Sequence, residues 1–438
     1  MKTLLAALLI AVLLLPAIVH GPRITPDGVH YLSLAENLVA GRGLTIWNGT
    51  RNFCHPPGYG LALAPLRWLK FSRGASVLIL NALALLVIFA ATLALVKPLT
   101  GWTAWAAAAI VTASPTLVTS GLMALTETVF VALMLTFLLS VNGKRIWLAS
   151  LLALALCGVR YHGLAVVVAV ALVCFPRWRD KLVVALPSLA VLLGGVAITG
   201  AWKPYVMTKY NMTPAYVNNL LNIMVVPMDC AQYIGGAVLL TMAVYVVWRL
   251  RRQPVAVATF GYYAGLLMAA FIMGYPVIGS RIHAPGITLL LVALIPVLPT
   301  WGWSSVEFSW PMRRLVMCGL AFACLVGWLG EGQDSFKAGW QGFAQPLDAR
   351  TIAEMDKLTP EQIYSNAPDL IAFHTGKLTA QVPPAESVKF LPVGARAFLF
   401  NRASWRRDLD SYSKSATLAV RLGGDATMIG FDGGPNGN

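Results

Sequence analysis

The stretch ASVLILNALALLVIFAATLALV, Ala75 to Val96, carries no charged side chain, and a helical crossing of a bilayer needs about 20 such residues. It decides the fold class, because runs of the same kind recur on both sides of it. Eleven spans are expected before Gly330: Leu4 to Val19, Ala75 to Val96, Trp102 to Ser120, Leu122 to Val141, Ile146 to Val159, Gly163 to Phe175, Leu182 to Ala201, Ala231 to Trp248, Val255 to Gly274, Pro285 to Pro299 and Leu315 to Leu329. The class that follows is a polytopic α-helical membrane protein. The first run follows one lysine, and no small-x-small cleavage site comes after Pro16 to Gly21, so it reads as an uncleaved signal anchor.

Composition agrees. The 438 residues are 58% hydrophobic and 12% charged, with mean hydropathy +0.69, where a soluble domain is about half apolar and a quarter charged. A soluble globular enzyme, a disordered chain and a disulfide scaffold are excluded. The net charge of +15 is unevenly spread: residues 1–330 hold 22 basic and 6 acidic side chains, residues 331–438 hold 11 and 12. A basic membrane domain, 1–330, is thus followed by a balanced, water-soluble segment, 331–438. Within the latter, Gln362–Ser365 and Ala397–Phe400 read as buried strands and Asp348–Leu358 as a helix, an α/β domain.

Short loops collect Lys and Arg on the cytoplasmic side. Asn142–Arg145, Pro176–Lys181, Arg249–Arg252 and Arg313–Arg314 fall together on that side if the N-terminus is cytoplasmic. An odd span count then puts the tail outside, with the loop from His20 to Gly74 and the loop from Trp202 to Cys230. All six His face that side. Cys157, Cys174, Cys318 and Cys324 sit in apolar runs, where a free thiol acts as a small hydrophobe; Cys54 and Cys230 share the outer side, and their pairing stays open. There is no internal repeat, heptad or nucleic-acid motif, and the positive charge is assigned to topology and to phosphate-bearing lipid, with no nucleic-acid partner.

Few carboxylates precede Gly330: Asp27, Glu36, Glu127, Asp180, Asp229 and Glu307. Asp27 begins an amphipathic run with Tyr31, Leu34, Ala35 and Leu38 at helical spacing. It reads either as a helix-start residue, favoured by the macrodipole, or as a functional acid. Glu127 lies between two apolar stretches, where an ionisable group is costly and defaults to a paired or functional role; the alternative is a plain loop acid. Arg160 and His162 interrupt one long apolar stretch, and Arg281 and His283 precede the tenth span. Either pair could snorkel to headgroups, yet both face the side of Asp27 and Glu127. Phe53-Cys-His-Pro-Pro-Gly-Tyr-Gly60 is an extended turn with a ring-bearing residue at each end, stiffened by Pro-Pro.

The order Asp27, Tyr31, Ala35-Glu-Asn-Leu-Val-Ala-Gly41, Gly43 and His55-Pro-Pro-Gly-Tyr59 closely resembles the first outer loop of the polyprenyl-phosphate-sugar-dependent C-type membrane glycosyltransferases, the branch of protein O-mannosyltransferases and the aminoarabinose transferase of lipid A. The likeness continues at Thr126-Glu127, at the Arg160 turn and in Tyr364-Ser-Asn-Ala-Pro-Asp-Leu370 with Thr375-Gly376. Many relatives carry a second acid directly after the first Asp; here that position is Gly28. The resemblance implies transfer of one sugar from a polyprenyl-phosphate donor to a glycan, lipid or protein acceptor outside the cytoplasmic face of the inner membrane, with inversion. Asp27 and Glu127 are then the catalytic carboxylates, with Asp27 as base. Arg160 and Arg281 hold the donor phosphate, and Tyr31, His55, Tyr59, His162 and His283 contact substrate. No cofactor is required by these residues, and a divalent cation between Asp27 and Glu127 is left open. A transporter or flippase of a lipid-linked saccharide and an inert envelope-assembly scaffold are the competing classes; the paired halves of a transporter are not visible.

Overall fold

The computed structural model describes residues 2–47, 49, 56–96, 99, 101–199, 248, 250–273, 280–296, 325, 329, 347–377, 379–382, 394–400, 418–423 and 426–430. The helices are α1 (Lys2–Leu13), α2 (Leu15–His20), α3 (Pro26–Val39), α4 (Gly58–Trp68), α5 (Arg73–Leu95), α6 (Gly101–Thr112), α7 (Pro115–Gly121), α8 (Glu127–Asn142), α9 (Ile146–Val159), α10 (Gly163–Cys174), α11 (Trp178–Thr199), α12 (Pro254–Met273), α13 (Ser280–Leu294), α14 (Ala349–Asp356) and α15 (Pro368–Thr375).

The long apolar run beginning at Ala75 forms α5, which among the described residues is the one helix long and apolar enough by itself to cross a bilayer. Three expected spans differ in shape. Leu4 to Val19 is divided between α1 and α2 at Leu14, with Pro16 in the first turn of α2. Trp102 to Ser120 is broken where Ser114 and Pro115 intervene, because proline supplies no amide and disfavours helix in the residue before it. The fourth span begins late, at Glu127, since residues 122–124 pair with Arg23. Ala231 to Trp248 and Leu315 to Leu329 lie almost wholly outside the described residues.

α8 is the hub. Its buried Phe130, Phe137 and Leu138 share a core with Leu85 and Ile88 of α5, and α9 also packs on it while α10 packs on α12. Leu83, Leu151, Leu172, Leu186 and Phe260 are exposed on the outer helix faces. In water that much apolar surface would drive aggregation; in hydrocarbon it is the ordinary contact surface. Trp147 and Trp178 stand exposed beside Arg145 and Arg177, the interfacial pairing of aromatic and basic residues.

Residues 347–430 contain a five-stranded mixed sheet of order β2-β1-β3-β5-β4, built from β1 (Ile363–Ser365), β2 (Ala380–Gln381), β3 (Arg396–Phe400), β4 (Leu418–Gly423) and β5 (Ala426–Gly430). Tyr364 lies opposite Ala380 and Ala397 in parallel pairs, whereas Phe398 faces Met428 across an antiparallel one. α15 crosses between the parallel strands β1 and β2. Its start is pinned: Ser365 Oγ donates to Phe398 O at 2.8 Å, and Asn366 exchanges two hydrogen bonds with the Phe400 backbone at 3.1 and 2.9 Å. Pro368 opens the helix, and Gly376, at φ 72°, closes it in the left-handed region where glycine is favoured.

Candidate active site

Two chain segments meet before they become helices. Arg23 and Met123 form a parallel bridge, with Arg23 N donating to Leu122 O at 3.0 Å and Ala124 N to Arg23 O at 2.9 Å. Asp27 and Glu127 each follow their bridged residue by the same number of positions, at the starts of α3 and α8. Asn81, a buried amide within the apolar α5, donates to Gly121 O at 2.8 Å and Met123 O at 2.9 Å and so fixes the second segment. Its signal in the sequence was a lone amide in a long apolar run, which sequence reading passed over.

The helix-start reading of Asp27 can be weighed directly. Thr25 is the cap of α3, its Oγ1 accepting from Gly28 N at 3.1 Å, so the Asp27 carboxylate does not serve as the N-cap. Gly28 packs on the neighbouring segment: a Cβ there would stand 2.8 Å from Ala124 Cβ and 3.0 Å from Ala124 O. A second acid at this position, next to Asp27, has no room at this approach.

Glu127, 3% exposed, pairs through Oε1 with Arg160 Nη1 at 2.6 Å, and Arg160, 12% exposed, lies 3.3 Å from Thr126 Oγ1. The second Glu127 oxygen has no hydrogen-bond partner among the described residues. Arg160 is held by the extended turn that closes α9. A buried pair of this kind is costly to break on one side. Because Glu127 starts α8 and Arg160 ends α9, the basic turn Gly143–Arg145 between these helices lies at their opposite end, about 24 Å away for a helix of this length. The basic loop at Pro176–Lys181 follows α10 to that same far end.

Tyr31 and Tyr59 come together with ring centroids 5.1 Å apart, edge to face, as α4 packs on α3. Gly60 permits this approach of α4 to α3, since a Cβ there would stand 2.5 Å from Leu34 Cδ2 and 3.0 Å from Tyr31 O, while at Gly58 a Cβ would stand 2.4 Å from Gly158 O at the end of α9. The Tyr31 phenol is pushed up from its ordinary range by burial, then by the Asp27 carboxylate; Arg160 opposes and Glu127 adds to the rise. One hydroxyl therefore senses both acids and the arginine. His162, in the turn after Arg160, is driven down to about 4 by burial and then by the Arg160 charge, which keeps the imidazole neutral. His283 is buried too, but Arg281 and His283 lie inside α13 rather than in a turn before it. Pro285 is accommodated near the start of that helix, so the span begins earlier than its apolar run. The Arg281 side chain and the whole of His55 lie outside the described residues, as do Cys54, Cys230, Cys318 and Cys324.

The remaining motif residues are structural. Asn37 Nδ2 donates to Thr45 O at 2.9 Å and Ile46 O at 3.0 Å, while its Oδ1 accepts from Arg42 Nε at 2.9 Å, shaping the turn through Gly41 and Gly43. Glu36 binds Arg73 Nε at 2.7 Å and Arg67 Nη2 at 2.9 Å. Burial raises its carboxyl, but the hydrogen bonds and charges of Arg73 and Arg67 outweigh burial and hold it below the usual range. For a divalent cation the fit is poor. Among the described residues no three His, Cys, Asp or Glu side chains converge, and the Arg160 guanidinium fills the position beside Glu127.

With this geometry in view, two solved structures align with the chain along nearly its whole length. ArnT from Cupriavidus metallidurans bound to undecaprenyl phosphate matches with TM-score 0.57 and 15% identity, covering 98% of this chain and 97% of that one. The chain has the ArnT fold. The apo form of the same protein matches with TM-score 0.57 and 14% identity, covering 98% of both chains. No family model matches the sequence, and the search of curated proteins finds no relative. The ArnT fold is a polytopic helical membrane fold, so the expected class stands at that level.

Proposed function

We propose that the protein transfers a single sugar from a polyprenyl-phosphate carrier to an acceptor hydroxyl at the membrane face opposite its basic loops. The observation that carries this reading is the convergence of Asp27, Tyr31, Glu127 and Arg160 at one end of an ArnT-like helix bundle. ArnT has been captured with undecaprenyl phosphate, which supports a carrier of that class here.

The chemistry follows from charge. The acceptor oxygen attacks the anomeric carbon as Asp27 takes its proton, and the bond from that carbon to the carrier phosphate oxygen breaks with inversion. The departing phosphate gains a second negative charge, so a cation at that oxygen stabilises the transition state more than the ground state. Arg160 supplies that cation, with Arg281 as the second. Glu127 holds Arg160 in place and keeps the guanidinium from drifting toward solvent. Burial of Tyr31, Tyr59 and the neutral His162 excludes water, which would otherwise take the sugar. The C-terminal domain lies extracytoplasmically over this end and selects the acceptor. No step is assigned to a metal.

The test is the mass profile of envelope glycans, lipids and proteins after deletion of the gene. Wild type should restore the missing saccharide, and Asp27→Asn should not, while accumulating normally in the membrane because Thr25 still caps α3. Full restoration by Asp27→Asn would return Asp27 to a plain helix-start residue.

A further inference from the structure

Asn81 is a completely buried amide in the apolar middle of α5. It stands eight residues after Arg73, the first residue of that helix, which by helical rise is about 12 Å along it. A polar side chain so far into an apolar helix is costly unless its hydrogen bonds are made. Asn81 makes them all. Nδ2 donates to Gly121 O at 2.8 Å and to Met123 O at 2.9 Å, and Oδ1 accepts from the Tyr59 hydroxyl at 3.4 Å. An amide side chain carries two donor hydrogens, so none is left for a ligand.

An ordinary interhelical amide ties one membrane helix to another. Asn81 instead holds a break between helices. α7 ends at Gly121 and α8 starts at Glu127, and carbonyls at such an end lack helical donors. They are shared out in alternation: Gly121 O and Met123 O accept from Asn81, whereas Leu122 O, between them, accepts from Arg23 N at 3.0 Å. Ala124 N closes that second edge by donating to Arg23 O at 2.9 Å. Residues 121–124 are therefore clamped between α5 on one edge and Arg23 on the other. Asp27 follows Arg23 by four positions, and Glu127 follows Met123 by four. The two carboxylates leave one clamp in register, and Arg160 meets Thr126 and Glu127 directly beyond it.

We propose that Asn81 is a positioning residue of the transfer site: its amide holds residues 121–124 against Arg23, and that clamp sets where Glu127, and with it Arg160, stands relative to Asp27. This role deepens the transfer reading above and rests on it. Asn81 itself touches no substrate. Without its two hydrogens, Gly121 O loses its donor and Met123 O loses one of its two, and a buried carbonyl short of a donor turns to find another. The segment that leads into Glu127 then shifts, while α3 keeps its Thr25 cap. A misplacement of about 1 Å between reacting groups costs about a hundredfold in rate. Carrier binding draws mainly on burial of a long apolar tail and is far less sensitive to such a shift.

Amide hydrogen exchange on the purified full-length protein in lipid nanodiscs tests the clamp without any substrate. In Asn81→Ala the bridge amides of Arg23 and Ala124 should exchange at least about tenfold faster than in wild type, a local opening, while amides within α9 keep their rates. Asn81→Ser retains one donor hydrogen for the two carbonyls and should fall between; it carries the test if Asn81→Ala accumulates poorly. In the deletion strain, saccharide restored per folded molecule should drop at least about tenfold in Asn81→Ala, the scale of a misplaced reactant, and by less in Asn81→Ser. Undecaprenyl phosphate should bind the purified variants within about threefold of wild type, since the interaction lost is one of placement in the transition state. A purely structural amide would change the amount of folded protein but not the transfer by each molecule. Wild-type transfer per folded molecule in Asn81→Ala overturns the proposal, as do unchanged exchange at Arg23 and Ala124 or a loss of carrier affinity as large as the loss of transfer. Should wild type itself restore no saccharide, the transfer reading fails instead, and exchange at Arg23 and Ala124 still decides whether Asn81 holds the clamp.

Discussion

Removing one partner of the Glu127–Arg160 pair should cost far more than removing both. Glu127 is 3% exposed and Arg160 12%, with 2.6 Å between oxygen and nitrogen, and the other Glu127 oxygen already lacks a partner among the described residues. Arg160→Met strands a buried carboxylate, for which about 3–5 kcal/mol is the usual cost. Against a total stability of about 5–15 kcal/mol that loss is large. Glu127→Gln should cost a comparable amount by stranding the guanidinium. The double variant leaves no uncompensated charge and should recover most of the loss. The assay is a double-mutant cycle on the unfolding free energy, measured by detergent titration in bicelles. Turnover provides the second arm. If Arg160 also stabilises the departing phosphate, the double variant regains stability but stays on the order of a hundredfold slow, the scale of losing one oxyanion stabiliser. A coupling energy below about 1 kcal/mol, the level of exposed pairs, would refute the buried-pair reasoning. Recovery of turnover along with stability would refute the phosphate role.

Two further outcomes follow from the same geometry. His162 has its imidazole lowered from 6.5 to about 4, so as pH falls through 6.5 the unfolded chain takes up a proton there that the folded chain refuses. Stability should therefore decline between those values and level off below them; His162→Asn should flatten this slope in the unfolding midpoint, and an equal slope in both proteins would contradict a buried neutral ring. A reporter fused after Asn438 should be active only outside the cytoplasm, because Arg73 at the start of α5 holds Phe373 of the C-terminal domain at the membrane face opposite the basic loops; a cytoplasmic signal would break that placement.

Much of the helix bundle was legible in the sequence, and the physical reason is locality. A run such as Ala75 to Val96 declares itself by composition alone, since every backbone group in hydrocarbon must be satisfied within its own helix. Scarce acids such as Asp27 and Glu127 stood out for the complementary reason, that a charge among apolar residues is expensive. The same locality hid the rest. Ser114 and Pro115 divide a run that hydropathy alone joins, and Asn81 gains meaning only when Gly121 and Met123 arrive beside it. The sequence marks Arg160 as a cation for the donor phosphate, but its ion pair with Glu127 exists only because the bridge at Arg23 and Met123 brings the start of α8 alongside. Arg73 and Phe373, 300 positions apart, belong to one contact between the helix bundle and the C-terminal domain. Sequence thus determined which segments are apolar helices and which residue types could do chemistry; only tertiary structure decided which of those residues face one another, because charge pairing and burial depend on distances in space that no spacing along the chain encodes.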